Sequence, residues 1–166
     1  MPLNWDGVFV AAFIPLIVRL VWDHSGLLGK TWRDAAGVNP DEPEWARTAA
    51  VAGLSLVFGF LMASIVMPLV IHQIHVFSIV QGDPAYGKED ARVTLWLEDF
   101  LREYGDSHRT FKHGAVHGAI AGLCFATPMI AINALFERRG LKYILITSGY
   151  WTICLALMGA IVCGWR

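Results

Sequence analysis

The fold is decided by residues 113–136, HGAVHGAIAGLCFATPMIAINALF, which contain no Asp, Glu, Lys or Arg. A bilayer core about 30 Å thick is crossed by roughly 20 helical residues, because each residue advances a helix by about 1.5 Å. The stretch is long enough to cross, and no polar stripe divides it into a wet and a dry face. It therefore predicts a transmembrane helix.

Three further apolar segments surround this one, at residues 7–23, 48–77 and 142–165. The segments are separated by polar connections at residues 24–47, 78–112 and 137–141. Aromatic residues flank the first and last segments as they do at membrane–water interfaces. The sequence predicts an all-α, polytopic membrane protein, with residues 1–166 forming a single transmembrane domain of four helices in a compact bundle. A soluble bundle with unusually apolar helices is the alternative.

The composition favours the membrane. The chain is 55% hydrophobic and 16% charged, whereas soluble proteins average about 45–50% and 25%. Its 13 Lys and Arg and 14 Asp and Glu give a net charge of −1. The chain therefore has no excess positive charge to attract nucleic acid. The lipid bilayer is the predicted partner, and nucleic acid is not.

The connections carry helices of their own. Within residues 88–104, apolar residues recur at three- and four-residue spacing, and acidic residues occupy the other face. This pattern predicts an amphipathic helix in the long second connection. This helix either lies on the membrane surface or caps the bundle, and its acidic polar face favours the cap. In the first connection, Asn39, Pro40 and Glu42 have the spacing of a helix start.

Orientation follows from the distribution of positive charge. Lys and Arg divide evenly between the two sides, but the tight third connection carries Arg138, Arg139 and Lys142 close to the membrane. The N-terminus has no Lys or Arg before the first apolar segment, so we expect that segment to be retained rather than cleaved as a signal peptide. Because positive loops stay inside, we expect both termini outside.

Small residues recur every four positions in the third span, at Gly114, Gly118, Gly122 and Ala126. Such a stripe lets helix backbones approach closely in lipid. The second and fourth spans carry similar stripes. We expect these stripes to pack within one chain. A homo-oligomer face, or a face for a membrane partner protein, is the alternative.

Few polar groups lie inside the spans. Arg19 is placed to reach the headgroups with its long side chain, or to pair with a carboxylate near the interface. Asn133 can form a hydrogen bond to another helix. Pro68 and Pro128 interrupt the second and third spans, and we expect them to kink these helices.

The histidines carry the chemistry that the sequence offers. His72 and His75 end the second span at i, i+3, and His113 and His117 open the third at i, i+4. Each spacing puts two imidazoles on one helix face, and the two helices meet on the same side of the membrane. Neutral imidazole binds zinc, copper, iron and haem. The four histidines are therefore a candidate metal or haem site. The alternative is that they only hydrogen-bond to backbone, water or headgroups.

Five segments stand out in the sequence: residues 109–118 (RTFKHGAVHG), 133–137 (NALFE), 149–151 (GYW) and 157–160 (LMGA), with 29–32 (GKTW) after the first span. They carry a resemblance to a bacterial membrane family called domain of unknown function 1761. The resemblance implies a four-span protein in the bacterial cytoplasmic membrane and brings no activity with it.

Two classes of function follow. The first is a non-enzymatic membrane protein, either a structural or accessory subunit or a small transporter-like protein. The second is a membrane protein that binds a metal ion or haem through the histidines. No catalytic signature is visible in the sequence, so an enzyme is the less favoured interpretation.

Overall fold

The computed structural model describes residues 4–24, 28–38 and 45–165, and its regular structure in these ranges is entirely helical. The helices are α1 (Trp5–Ala11), α2 (Ile14–Trp22), α3 (Gly29–Ala36), α4 (Trp45–Val70), α5 (Gln73–Val80), α6 (Arg92–Tyr104), α7 (Phe111–Ala121), α8 (Thr127–Phe136) and α9 (Leu141–Gly164). The all-α class is confirmed. The helix start predicted at Asn39, Pro40 and Glu42 lies outside the described residues.

Four segments are long and apolar enough to cross a membrane, as the sequence predicted. They are Trp5–Trp22, Ala49–Val70, Phe111–Phe136 and Leu141–Gly164. They are called the first to fourth spans below.

The first span is not one continuous helix. A turn at Ala12 and Phe13 separates α1 from α2. Pro15 lies at the start of α2, where its missing N–H and fixed backbone angle suit a helix that begins anew. The turn packs closely against α4 at Gly59. A Cβ added to Gly59 would lie 3.2 Å from the Ala12 carbonyl carbon.

The second span ends earlier than residue 77. It stops at Val70, and α5 starts separately at Gln73 after a break at Ile71 and His72. Side chains contact two of the last carbonyls of α4, where a helix end leaves carbonyls without partners. The Pro68 carbonyl faces the His75 ring at 3.0 Å, and the Val70 carbonyl lies 3.3 Å from the Cys163 thiol.

The third span widens just before Pro128. Residues Gly122–Ala126 form a π turn between α7 and α8, and the N–H and hydroxyl of Thr127 both bond to the Gly122 carbonyl. Pro128 cannot donate to the carbonyl four residues earlier, and its ring would clash with it. A wider turn avoids that clash, so the proline acts here through a π turn.

The fourth span, α9, is the helix that the others surround. It contacts α1, α2, α3, α4, α7 and α8, and Cys154, Met158 and Val162 are fully buried within it. The α7–α9 contact is tight because glycines face backbone. A Cβ at Gly118 would overlap the Leu155 carbonyl group and lie 2.9 Å from the Cα of Ala156. Gly114, Gly118 and Gly122 thus face the fourth span.

The amphipathic helix of the second connection is α6, which begins at Arg92 rather than at residue 88. It buries Leu97, whereas Trp96 stays half exposed and stacks on Phe100. Gln73, buried at the start of α5, donates hydrogen bonds of 2.9 Å to the carbonyls of Tyr104 and Ser107. These bonds fix the end of α6 beside the break after α4.

Candidate metal centre

Two of the candidate histidines, His113 and His117, are presented by the first turns of α7. Thr110 caps that helix, and its hydroxyl accepts a hydrogen bond from the His113 N–H at 3.1 Å. The cap fixes where α7 begins. Because the two histidines are one turn apart, their rings lie side by side with centroids 4.4 Å apart.

The third histidine, His72, reaches the same point from the break between α4 and α5. Its ring centroid lies 5.1 Å from that of His113 and 4.9 Å from that of His117. The Nε2 atoms of His72 and His113 are 3.1 Å apart. One candidate ligand nitrogen from each of the three rings lies within 4.8 Å of the other two. We call His72, His113 and His117 the histidine trio.

The trio has the dimensions of a metal-binding site. Two imidazole nitrogens bound at about 2.05 Å to one tetrahedral ion lie about 3.3 Å apart. The 3.1 Å between His72 and His113 is close to that value. His72 is exposed while His113 and His117 are half-buried, which leaves a side of the site open to a further ligand.

The other predicted member, His75, is directed elsewhere. Its Nε2 lies 3.0 Å from the Pro68 carbonyl, and a carbonyl can only accept, so this nitrogen carries the proton. His75 and His72 do not share a helix face, because the break after α4 places His72 before the start of α5.

His108 approaches the trio from the loop before α7. Its ring centroid is 5.1 Å from that of His113, and its backbone has a positive φ of 62°. The Cys163 thiol lies 3.4 Å from its carbonyl. His108 lies in the loop between α6 and α7, where sequence spacing does not indicate which ring it approaches.

The trio favours the neutral imidazole that a metal requires. Partial burial, followed by charge repulsion from His117, His75 and His108, lowers the pKa of His72 from its ordinary value of 6.5. Protons and metal ions compete for the same ring nitrogen. A lowered pKa therefore favours the neutral His72 ring, which has a nitrogen available to bind a metal ion.

The face of the molecule that holds the trio, which we call the histidine face, is closed by polar contacts to the end of α9. Arg109 is buried and donates from Nε to the Cys163 carbonyl at 3.1 Å. Asn4, which caps α1, donates from Nδ2 to the carbonyls of Val162 and Trp165. These bonds satisfy carbonyls that a helix end leaves without partners.

The polar residues predicted inside the spans lie away from the trio. Arg19, on α2, forms an ion pair through Nε with Asp23 four residues later, and its guanidinium lies over the Trp32 ring at 4.0 Å from the centroid. The pairing could be anticipated from the i, i+4 spacing, but Trp32 could not. Asn133 is exposed on α8.

Comparison with known families identifies the chain. A family model described as a protein of unknown function (DUF1761) matches residues 7–163, so the chain belongs to that family. Searches of curated proteins and of solved structures give no match.

Proposed function

We propose that this chain is an integral membrane protein that binds one transition-metal ion through the histidine trio. The observation that carries the proposal is the convergence of three imidazoles from two separate elements, with ligand nitrogens within 4.8 Å of one another. Histidine is a common ligand for zinc, copper, nickel and iron. Three neutral imidazoles with an open position suit such an ion.

The surface of the spans supports a membrane location. Leu20, Ile65 and Phe125 are 79%, 69% and 69% exposed, and extensive exposed apolar surface is unusual for a protein in water. In lipid it is the surface expected of a four-helix bundle. We propose the bacterial cytoplasmic membrane, with both termini and the histidine face outside.

A metal ion fits the trio better than haem does. Two axial imidazoles of one haem lie on opposite sides of the iron, so their nitrogens stand about 4 Å apart at metal–nitrogen distances of about 2.0 Å. The Nε2 atoms of His72 and His113 are 3.1 Å apart. That distance suits adjacent positions on one ion.

The role that we favour is metal handling. The trio contains three ligands of one kind, and the sequence carries no catalytic signature beside them. A structural or accessory subunit, or a transporter-like protein without metal, is the alternative. It is the interpretation that remains if the trio binds no ion.

The test is a cobalt titration of the purified full chain in detergent, with any affinity tag removed and the protein stripped with a chelator. Tetrahedral Co²⁺ gives a visible spectrum, and Zn²⁺ should displace it. We expect one Co²⁺ per chain. His113→Ala should weaken binding by more than about 100-fold, since even outer-sphere partners of metal ligands contribute about 10–100-fold.

His75→Ala is the matched control, because it removes a neighbouring imidazole that faces the Pro68 carbonyl instead of the trio. Its affinity should stay within a few-fold of the parent protein. Absence of saturable binding would refute the proposal. So would an equal loss of affinity in the His75 and His113 variants, because binding would then depend only on the number of histidines.

A further inference from the structure

A second candidate site lies at the opposite end of the spans. A cavity of about 440 Å³ opens between the first, second and fourth spans, beside α3. Its wall includes Thr147, which lies 16 residues before Cys163 on α9. That separation is about 24 Å along the helix at about 1.5 Å per residue. The cavity is therefore distinct from the histidine trio.

The size of this cavity suits a small organic molecule. Ligand pockets commonly enclose about 300–1,000 Å³, with mostly apolar walls and a few convergent polar groups. Phe58, Met62 and Trp151 belong to the apolar wall, and Arg19, Ser55 and Thr147 supply polar groups. This combination binds the body of a ligand by apolar contact and orients it by hydrogen bonds.

The polar groups offer donors to a ligand. Arg19 uses Nε for Asp23, and in the described part of the chain no side chain or carbonyl accepts from its terminal nitrogens. The Thr147 hydroxyl accepts from the Trp32 ring nitrogen at 3.3 Å, which leaves its own O–H free to donate. Arg19 and Thr147 thus each have a donor available to a ligand in the cavity.

The charge of the cavity favours a neutral ligand. Asp23 already balances Arg19, and both side chains are about one-third exposed. A carboxylate or phosphate entering this apolar space would bring a net negative charge, whose desolvation is costly without a second cation. A carbonyl oxygen accepts the same hydrogen bonds without that cost. The ligand head should therefore be an uncharged acceptor.

Aromatic side chains favour a flat ring, and the walls of the cavity favour entry from lipid. Trp32, Trp151 and Phe58 line the cavity, and Trp32 already stacks on the Arg19 guanidinium. Flat aromatic groups pack against one another by offset stacking. Val51 and Phe58 are 53% and 58% exposed on the outer surface of α4. This surface is the part of the wall that would face acyl chains.

We propose that the cavity binds a neutral, planar carbonyl compound with an apolar tail, the chemical class to which isoprenoid quinones belong. The ring lies among the aromatic residues, and a carbonyl oxygen accepts from Arg19 and Thr147. The tail leaves past Val51 and Phe58 into the lipid. The proposal concerns binding alone and is independent of metal binding at the histidine face.

Equilibrium binding of a radiolabelled decyl-benzoquinone tests this site. The full chain is placed in lipid nanodiscs, and binding to empty nanodiscs is subtracted. Ser55→Leu projects additional carbons into the cavity and should weaken binding at least about tenfold. Ser64→Leu is the matched control on the same helix. Ser64 bonds to the Phe60 carbonyl and does not line the cavity, so this variant should bind as the parent chain does.

Competition experiments identify the ligand class. Unlabelled decyl-benzoquinone should displace the label, whereas oleate and decanol should not do so at the same concentration. Arg19→Lys keeps the charge but loses the planar donor pair, and it should weaken binding if its unfolding in detergent matches the parent. Stronger displacement by oleate would overturn the neutral assignment. No binding above that of empty nanodiscs, or equal loss in the Ser55 and Ser64 variants, would overturn the site.

Discussion

Replacing Gly118 by alanine should push α7 and α9 apart. The added Cβ would overlap the Leu155 carbonyl oxygen and lie 2.7 Å from its carbonyl carbon. Ordinary contact for a Cβ begins at 3.4 Å. The obstacle is backbone in the middle of a helix, which cannot rotate aside as a flexible side chain can. The carbonyl oxygen is nearer still, so the two helices must separate by about 1 Å or more at this point.

The expected loss is a net of about 2 kcal/mol. Overpacking a tight contact costs about 1–3 kcal/mol, and backbone on the receiving side places this case near the top of the range. A gap of about 0.5–1 Å also forfeits a quarter to a half of each dispersion contact nearby. Helix propensity returns about 0.8–1.0 kcal/mol, because alanine is the better helix former.

Unfolding by sodium dodecyl sulfate in mixed micelles, followed by circular dichroism, measures the free energy of unfolding. Gly53→Ala is the matched control, since Gly53 is exposed on α4 and a Cβ there meets nothing within 4 Å. That variant should be neutral or more stable by up to about 1 kcal/mol. A Gly118→Ala protein as stable as the Gly53→Ala protein would refute the close approach of α7 to α9.

Two further predictions concern pH and a buried hydroxyl. The pKa of His72 is lower in the folded protein than in the unfolded chain. The folded protein therefore binds fewer protons than the unfolded chain when the pH is below about 6.5. As a result, metal-free protein should lose thermal stability as pH falls through the lowered pKa. His72→Gln should flatten this slope, and an unchanged slope would contradict the cause we assign. Tyr150→Phe removes a buried 2.7 Å hydrogen bond to the Pro15 carbonyl and should cost about 1–2 kcal/mol in detergent unfolding. An unfolding midpoint equal to that of the parent would count against this bond.

The sequence predicted the parts of the fold that depend on composition and period. Four apolar segments became four helices long enough to cross a membrane, and the amphipathic period of the second connection became α6. Hydropathy carries no information about which group forms a hydrogen bond with a given backbone carbonyl. It therefore missed the turn at Ala12 and Phe13 and the break at His72, which Pro15 and the side chains of Cys163 and His75 accommodate.

The candidate site was predictable on one helix and not on the other. His113 and His117 follow α-helical spacing, so their common face could be read from sequence. The third member of the trio, His72, lies beyond the end of α4, so its position depends on the backbone of the break. There the break directs His72 toward α7, and the Pro68 carbonyl takes His75. Helical periodicity does not extend through such a break, so it could not separate these two residues.

The bonds from Asn4 to the end of α9 also hold the start of the first span against the end of the fourth. The Asn4 side chain donates to the Trp165 carbonyl at 2.6 Å, so a short covalent join between these positions would bridge a small gap in the folded state and would restrict mainly the unfolded chain. A circular permutant opened in the connection at residues 137–140 is therefore a feasible design. The same contacts place any peptide fused to either position on the histidine face, where a polyhistidine tag would compete for metal. An affinity tag inserted at residues 137–140 would lie at the opposite end of the spans.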